Sequence, residues 1–288
     1  MPLFRRPDGK RVRDVPPIRA IMPYLMRGRN ESAVYHDATY DIGGTRAWLK
    51  AYNRAHPHRA TLFHLFAWAC ARALHERPEL NRFVSGGRLY QRNEVVFSFA
   101  VKPEWRDDAP LVTVKLVVPE GEPFAEFVPR MSAAIDEART KPRAIDREVA
   151  LLVRLPGPVL RLGVWLVRVL DAWNLLPGLF TRNDPMYASL FLANLGSAGV
   201  SGAYHHLYEY GTVSIFGALS APAREPFAEA GSLATREALR VRWTFDERIH
   251  DAFYAARSLA VVQRIVESPE RYAAALDASP PAAGAAAS

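Results

Sequence analysis

Two segments, Val95–Val101 and Leu111–Val118, carry the alternating, β-branched pattern of half-buried strands, with Pro103 and Asp107–Asp108 between them as turn signals. They read as paired strands, so the chain must build a sheet. Further strands are expected at Ser32–Tyr40, Tyr187–Ala193, Thr212–Leu219 and Ala238–Phe245. Helices are expected at Thr45–Ala55, from Thr61 to the stop at Arg77–Pro78, over Pro123–Arg139, and from Phe253 to Ser268. Strands and helices are mixed without regular βαβ alternation, and no Gly-x-Gly-x-x-Gly turn occurs, which argues against a dinucleotide-binding fold. The class is α/β in the broad α+β sense.

At 49% hydrophobic, 23% charged and 11% aromatic, the 288 residues have ample apolar area for a core. The net charge of +7 favours anionic partners without choosing among them. Nucleic acid is disfavoured, because no helix-turn-helix, zinc-finger or RNP-like motif appears and the basic residues are dispersed except at the start. That start, residues 1–17, has no apolar run behind it and reads as an exposed basic arm rather than a secretory signal. The tail, 274–288, is low-complexity and expected to be disordered. The lone Cys70 excludes an intramolecular disulfide and multi-cysteine metal frameworks, and fits a reducing, cytoplasmic setting. On its apolar helix it reads as a small core residue rather than a nucleophile.

One stretch departs from globular patterning. Residues 149–181 are strongly apolar, yet Pro156, Pro158, Pro177 and interspersed arginines keep them below the uncharged length of about twenty residues that a membrane span needs. Arg154, Arg161 and Arg168 recur every seven residues, so on one helix they would form a basic stripe beside an apolar face bearing Trp165. Two readings fit: an interfacial helix making peripheral contact with a membrane through 149–180, or a helix pair packed on its own chain.

Three stretches carry a resemblance. Pro78-Glu79-Leu80-Asn81, the strand end Phe191–Gly196, and Thr244–Ala252 leading into Ala255-Ala256-Arg257 resemble, in order, the "PELN", "ISNLG" and "DHRxxDG…AAR" motifs of the catalytic domain of the dihydrolipoamide acyltransferases of 2-oxo-acid dehydrogenase complexes. The resemblance covers 18–273, with 149–181 as an insert. It implies a chloramphenicol acetyltransferase-like mixed sheet with flanking helices, a homotrimer with active sites between subunits, and acyl transfer with coenzyme A or acyl-coenzyme A as co-substrate. No metal is implied. No lipoyl-type or peripheral-subunit-binding segment precedes residue 18, so a free-standing protein without a lipoyl group is expected.

The departures bear directly on the chemistry. The family's catalytic histidine corresponds to Glu247, its oxyanion-stabilising hydroxyl to Ala193 and its motif glycine to Ala252, whereas Asp246, Arg248 and Asp251 are retained. An ordinary carboxylate, with a pKa near 4.3, is a poor base for a thiol or alcohol unless desolvated. Three sources of a base are open: Glu247 itself, His250, or the His205–His206 pair, of which a strand would turn only one towards a given pocket. The pair lacks the His-x-x-x-His spacing of a helical metal site. Asp251 completes the motif, and Asn194, Gly196 and Arg248 are the matching positions for holding the cofactor. The expected function is an acyltransferase-like protein that transfers or binds an acyl group from acyl-coenzyme A, with an unknown acceptor and rewired catalytic residues. The alternative is a non-catalytic trimeric scaffold or ligand-binding relative.

Overall fold

The computed structural model describes residues 5–102, 106, 111–140, 153–229 and 231–272. In chain order the first half runs β1 (Gly9–Arg11), α1 (Pro17–Leu25), β2 (Ala33–Asp41), α2 (Gly43–Ala55), α3 (Leu62–Glu76), β3 (Arg82–Ser85), β4 (Arg88–Arg92), β5 (Val95–Val101), β6 (Val112–Val118) and α4 (Phe124–Thr140). The second half runs α5 (Gly157–Ala172), α6 (Gly178–Asn183), β7 (Leu190–Asn194), β8 (Ile215–Leu219), β9 (Ala223–Glu229), β10 (Ser232–Asp246) and α7 (Ala252–Glu267).

The alternating segments that demanded a sheet pair antiparallel as β5 and β6, with Val95 opposite Val118. Their sheet has the order β2-β10-β8-β7-β5-β6, with β9 folded back on β10. The β5–β7 and β7–β8 pairs are parallel and the others antiparallel, giving the mixed sheet expected. On it lies α3, started by Thr61, whose hydroxyl accepts the His64 N–H, and nearly buried from Leu65 to Ala71. Phe66 stacks on Trp243 of β10, and Cys70 is buried, as a core residue should be. Each fully buried aromatic of this layer contributes several kcal/mol, about 3–5 by the measure of truncation to alanine.

Some boundaries shift. β10 extends back to Ser232 because its first half forms a hairpin with β9, where Ser232–Glu237 shows no apolar alternation to announce a strand. His205 and His206, taken as neighbours on a strand, lie in an irregular loop over 201–208 instead. β7 and β8 begin three residues later than expected.

The basic start is not a free arm. From Arg6 onward it docks: β1 pairs with β4, and Arg6, 6% exposed, donates to Asp8 at 2.6 Å and Asp171 at 2.8 Å while lying over the Phe83 ring. The charges match because Asp171 comes from α5, so the insert and the start hold each other. After it comes α1, which leaves Ile18, Ile21, Tyr24 and Leu25 exposed. Residues 1–4, the expected tail 274–288 and positions 149–152 of the insert lie outside the described residues. Arg6→Ala would leave Asp171 buried without its cation, and the expected loss is about 3–5 kcal/mol of stability, measured by chemical denaturation.

Candidate functional site

The end of β7 opens onto a groove of about 740 Å³ between the sheet and the α3–α4 side. Its floor is apolar, formed by Phe63, Val101, Phe191 and Phe216, and Arg59, Lys102 and Arg139 stand around it with Asp136 as the counter-charge. Ala193, Asn194 and His205 line it. Among the described residues this half-open groove is where Ala193, Asn194 and His205 meet a volume of ligand size.

His205 is held flat against Phe216, with ring centroids 3.9 Å apart and planes within 3°. Its backbone carbonyl accepts from the Thr244 hydroxyl at 2.6 Å. Nδ1 lies 2.7 Å from the His206 carbonyl, an acceptor only, so Nδ1 carries the proton and Nε2 the lone pair. Burial lowers the imidazole pKa, opposed by that backbone hydrogen bond and assisted by His206. The ring is therefore neutral at neutral pH with a basic nitrogen. His206 packs beside it at 4.7 Å but does not line the groove. One histidine of the pair faces the cavity, as a strand would have required, although the backbone here is a loop.

A second groove histidine, His64, was not singled out in the sequence. The Thr61 N–H and hydroxyl meet its Nδ1, at 3.2 and 2.6 Å, and Nε2 lies 3.1 Å from Ser132 Oγ. With Nδ1 accepting, Nε2 carries the proton and donates it to Ser132, so no lone pair remains for a substrate. The signal was present as Thr61-x-x-His64, a capping spacing. Desolvation lowers the His64 pKa from 6.5 to about 4.

Asn194 ends β7 and caps the following 3₁₀ turn: its Oδ1 accepts from the Ser197 N–H at 3.3 Å, leaving the Nδ2 amide hydrogens for other partners. Gly196 does not line the groove. A Cβ there would strike the Ser220 carbonyl, so close approach of two backbone segments accounts for the glycine.

The remaining motif residues gather elsewhere, at the turn after β10. Asp246 is fully buried and accepts from Ser32 Oγ at 3.0 Å and from Arg248 Nε and Nη2 at 2.8 and 2.7 Å. Arg248 also donates to the Met26 and Arg27 carbonyls. Between them Glu247 is held by its backbone, with its N–H on the Ser32 carbonyl and its own carbonyl accepting from Arg19, while its half-buried carboxylate has no partner among the described residues. With Nδ1 accepting from the Asp251 N–H, His250 Nε2 donates to the Glu79 carboxylate at 2.7 Å, and the ring stacks on Tyr254. Asp251 caps α7, and the hydrogen bond from the Tyr254 N–H is the first cause of its lowered pKa. His250 is thus tied to the turn of Pro78–Leu80 and does not reach the groove.

Sheet register explains the separation. Phe245 pairs with Ile215 at the start of β8, whereas Ala193 pairs with Ala218 near its end. The two clusters are therefore about 10 Å apart along the strands and two strands apart across the sheet. Within one chain Glu247 does not serve the groove.

Residues 178–274 match the model of the family described as 2-oxoacid dehydrogenases acyltransferase (catalytic domain). No curated protein sequence matches the chain. Solved structures similar to it include the cubic core of the pyruvate dehydrogenase multienzyme complex, at 15% identity and a TM-score of 0.61 over 90% of this chain and 93% of that one. Dihydrolipoamide acetyltransferase of Azotobacter vinelandii gives 17% and 0.59 over 90% and 93%, and a chloramphenicol acetyltransferase 13% and 0.55 over 90% and 99%. The fold is thus chloramphenicol acetyltransferase-like.

His64 has a measurable signature. Its folded pKa lies below the unfolded value, so its contribution to stability is complete above pH 6.5 and is lost as pH falls towards 4, by about 3 kcal/mol in all. In urea titrations His64→Gln is expected to flatten that part of the pH–stability curve.

Proposed function

From a chain that carries the 2-oxoacid dehydrogenase acyltransferase catalytic-domain match on this fold, we propose an acyl-coenzyme A-dependent acyl transfer in which His205 replaces the family's missing histidine as general base. The observation that carries the reading is the fixed tautomer of His205 on the wall of the groove, with a free Nε2 lone pair beside the strand end where the family places its oxyanion hydroxyl. The apolar floor suits an acyl chain and pantetheine arm, and Arg59, Lys102 and Arg139 suit the phosphates of coenzyme A.

In this reading the acceptor X–H gives its proton to His205 Nε2 as X attacks the thioester carbonyl. The resulting oxyanion is met by the Asn194 Nδ2 amide in place of the hydroxyl absent at Ala193. Collapse breaks the C–S bond, the proton passes from the imidazolium to the departing sulfur, and coenzyme A leaves as the thiol. Holding Nδ1–H on the His206 carbonyl steadies the imidazolium while it lasts. The Glu247 turn, at the far end of the sheet and half-buried at Glu247 itself, closes the groove of a neighbouring copy in a homotrimer. A carboxylate without a partner among the described residues is consistent with that place.

Thiol release from a panel of acyl-coenzyme A donors, with thiol and alcohol acceptors, tests this. His205→Ala is expected to lower the rate at least a hundredfold, about 2.7 kcal/mol of transition-state stabilisation, His206→Ala to leave it within threefold, and Glu247→Gln to cost about tenfold. Because the base is lost on protonation and its pKa is lowered, activity should fall only below pH 6.5. Light scattering should give about three times 32.2 kDa. Binding of acyl-coenzyme A with background turnover would favour the scaffold reading instead.

A second reading concerns the insert. The first ten positions of α5 are exposed except Leu160, among them Val159, Leu162, Val164, Trp165 and Leu166. Arg161 and Arg168 lie on the helix, but Arg154 precedes it, so the stripe is shorter than the spacing suggested. No helix among the described residues is long and apolar enough to cross a membrane. A reversible contact with an anionic bilayer follows, at about 1 kcal/mol per arginine near the surface. Liposome sedimentation should show more protein on anionic than on neutral vesicles at low salt, and Arg161→Gln with Arg154→Gln should reduce the difference.

A further inference from the structure

Apart from the groove, a second cavity of about 160 Å³ lies where the end of α1, the β3–β4 turn, the C-terminal half of α5 and the turn after β10 come together. It is walled by four arginines, Arg27, Arg29, Arg168 and Arg248, and two carboxylates, Asp171 and Glu209. The balance of charge there is the unusual feature. Arg248 is matched by Asp246 at 2.7 Å, Asp171 is taken by Arg6 and by the Ser85 hydroxyl, and Glu209 accepts from Asn30 and faces Arg168 at 3.9 Å.

Two cations are left over. Arg29 is 6% exposed and, among the described residues, its guanidinium donates to the carbonyls of Val84, Tyr208 and Glu209 while its Nε has no hydrogen-bond partner; Asp246, Glu209 and Asp171 attract it without a hydrogen bond to it. Burial pulls its pKa down, the expected response of a cation denied a contacting carboxylate. The Arg27 guanidinium has no hydrogen bond or ion pair among the described residues. A buried arginine satisfied by carbonyls alone is costly to maintain, and an anion in the adjoining space would offset that cost.

We propose that this cavity binds a phosphate group, free or as a monoester, between Arg27, Arg29, Arg168 and Arg248. The occupant is limited by volume, since ligand sites for larger molecules begin at roughly 300 Å³. It is limited by charge as well: two unmatched guanidinium groups call for a species near −2, which a phosphate monoester supplies at neutral pH and a single carboxylate does not. Guanidinium forks arriving from three separate elements suit an acceptor that offers oxygens in several directions. At the turn, Gly86 has a φ of +55°, and a Cβ there would strike the Ala172 carbonyl, so the β3–β4 turn is seated directly on the end of α5 and the wall is built rather than incidental. The site is independent of acyl transfer and of His205.

The phosphate has two sources that share this chemistry: inorganic phosphate in solution, and a lipid headgroup reached through α5, which carries both Arg168 and the exposed apolar face. Isothermal titration of the full chain with sodium phosphate, at ionic strength held constant with chloride, is the direct test. Saturable binding at one site is expected, and Arg27→Gln combined with Arg168→Gln, both exposed positions, should weaken it at least tenfold with an unchanged circular dichroism spectrum. Absence of saturable binding, or binding unchanged in the double variant, overturns the proposal. Vesicles of matched surface charge containing phosphatidic acid or phosphatidylglycerol then separate the sources. A preference for phosphatidic acid that the double variant abolishes assigns the phosphate to a lipid, and equal recruitment beside measured phosphate binding assigns it to solution.

Discussion

Asp246 has no exposed surface, and everything around the end of β10 is arranged to keep its charge satisfied. Ser32, from the segment leading into β2, and both faces of Arg248 supply donors, and Arg248 in turn reaches the carbonyls that end α1. Removing one member of such a group strands a buried charge, whereas the assembled group costs little, so the turn is rigid by electrostatic necessity. That rigidity presents Glu247 at the surface and places Arg248 on the wall of the second cavity. Asp246 and Arg248 are thereby explained by folding, whatever chemistry the protein performs.

The other organising constraint is register. Parallel pairing of β7 with β8 brings Ala193 level with Ala218, while antiparallel pairing of β10 brings Phe245 level with Ile215. A strand cannot slip by one residue without turning its apolar face outwards, and the observed register sets the groove and the Glu247 turn at different levels of the sheet. Residues that are neighbours in a motif-based reading are for this reason divided between two places of the chain.

The long insert shows how surface chemistry and internal packing divide a single helix. The C-terminal end of α5 is locked by Asp171 to Arg6 and Ser85, deep in the small sheet of β1, β4 and β3, while Val159 to Leu166 project outwards. Of the two alternatives read from its composition, the docked helix holds for its C-terminal end, and the turns before it leave their apolar side chains exposed. Charge pairing decides the docked end, because Arg6 lies 165 residues away in sequence and its partner could be found only in space.

Local patterning was enough for the paired strands β5 and β6, for α3 with its Thr61 cap and proline stop, for the burial of Cys70, and for a mixed sheet with helices. These depend on periodicity and on the chemistry of chain ends, which a sequence states directly. His205 could be named as one of a pair, but not chosen, because the choice rests on a stacking contact with Phe216 and a hydrogen bond that fixes its tautomer. The docking of the first residues and the arginine-lined cavity are hidden from the sequence for the same reason. Each is a meeting of segments far apart in the chain, and the free energy of such meetings comes from burial and charge pairing in three dimensions, which no local pattern encodes.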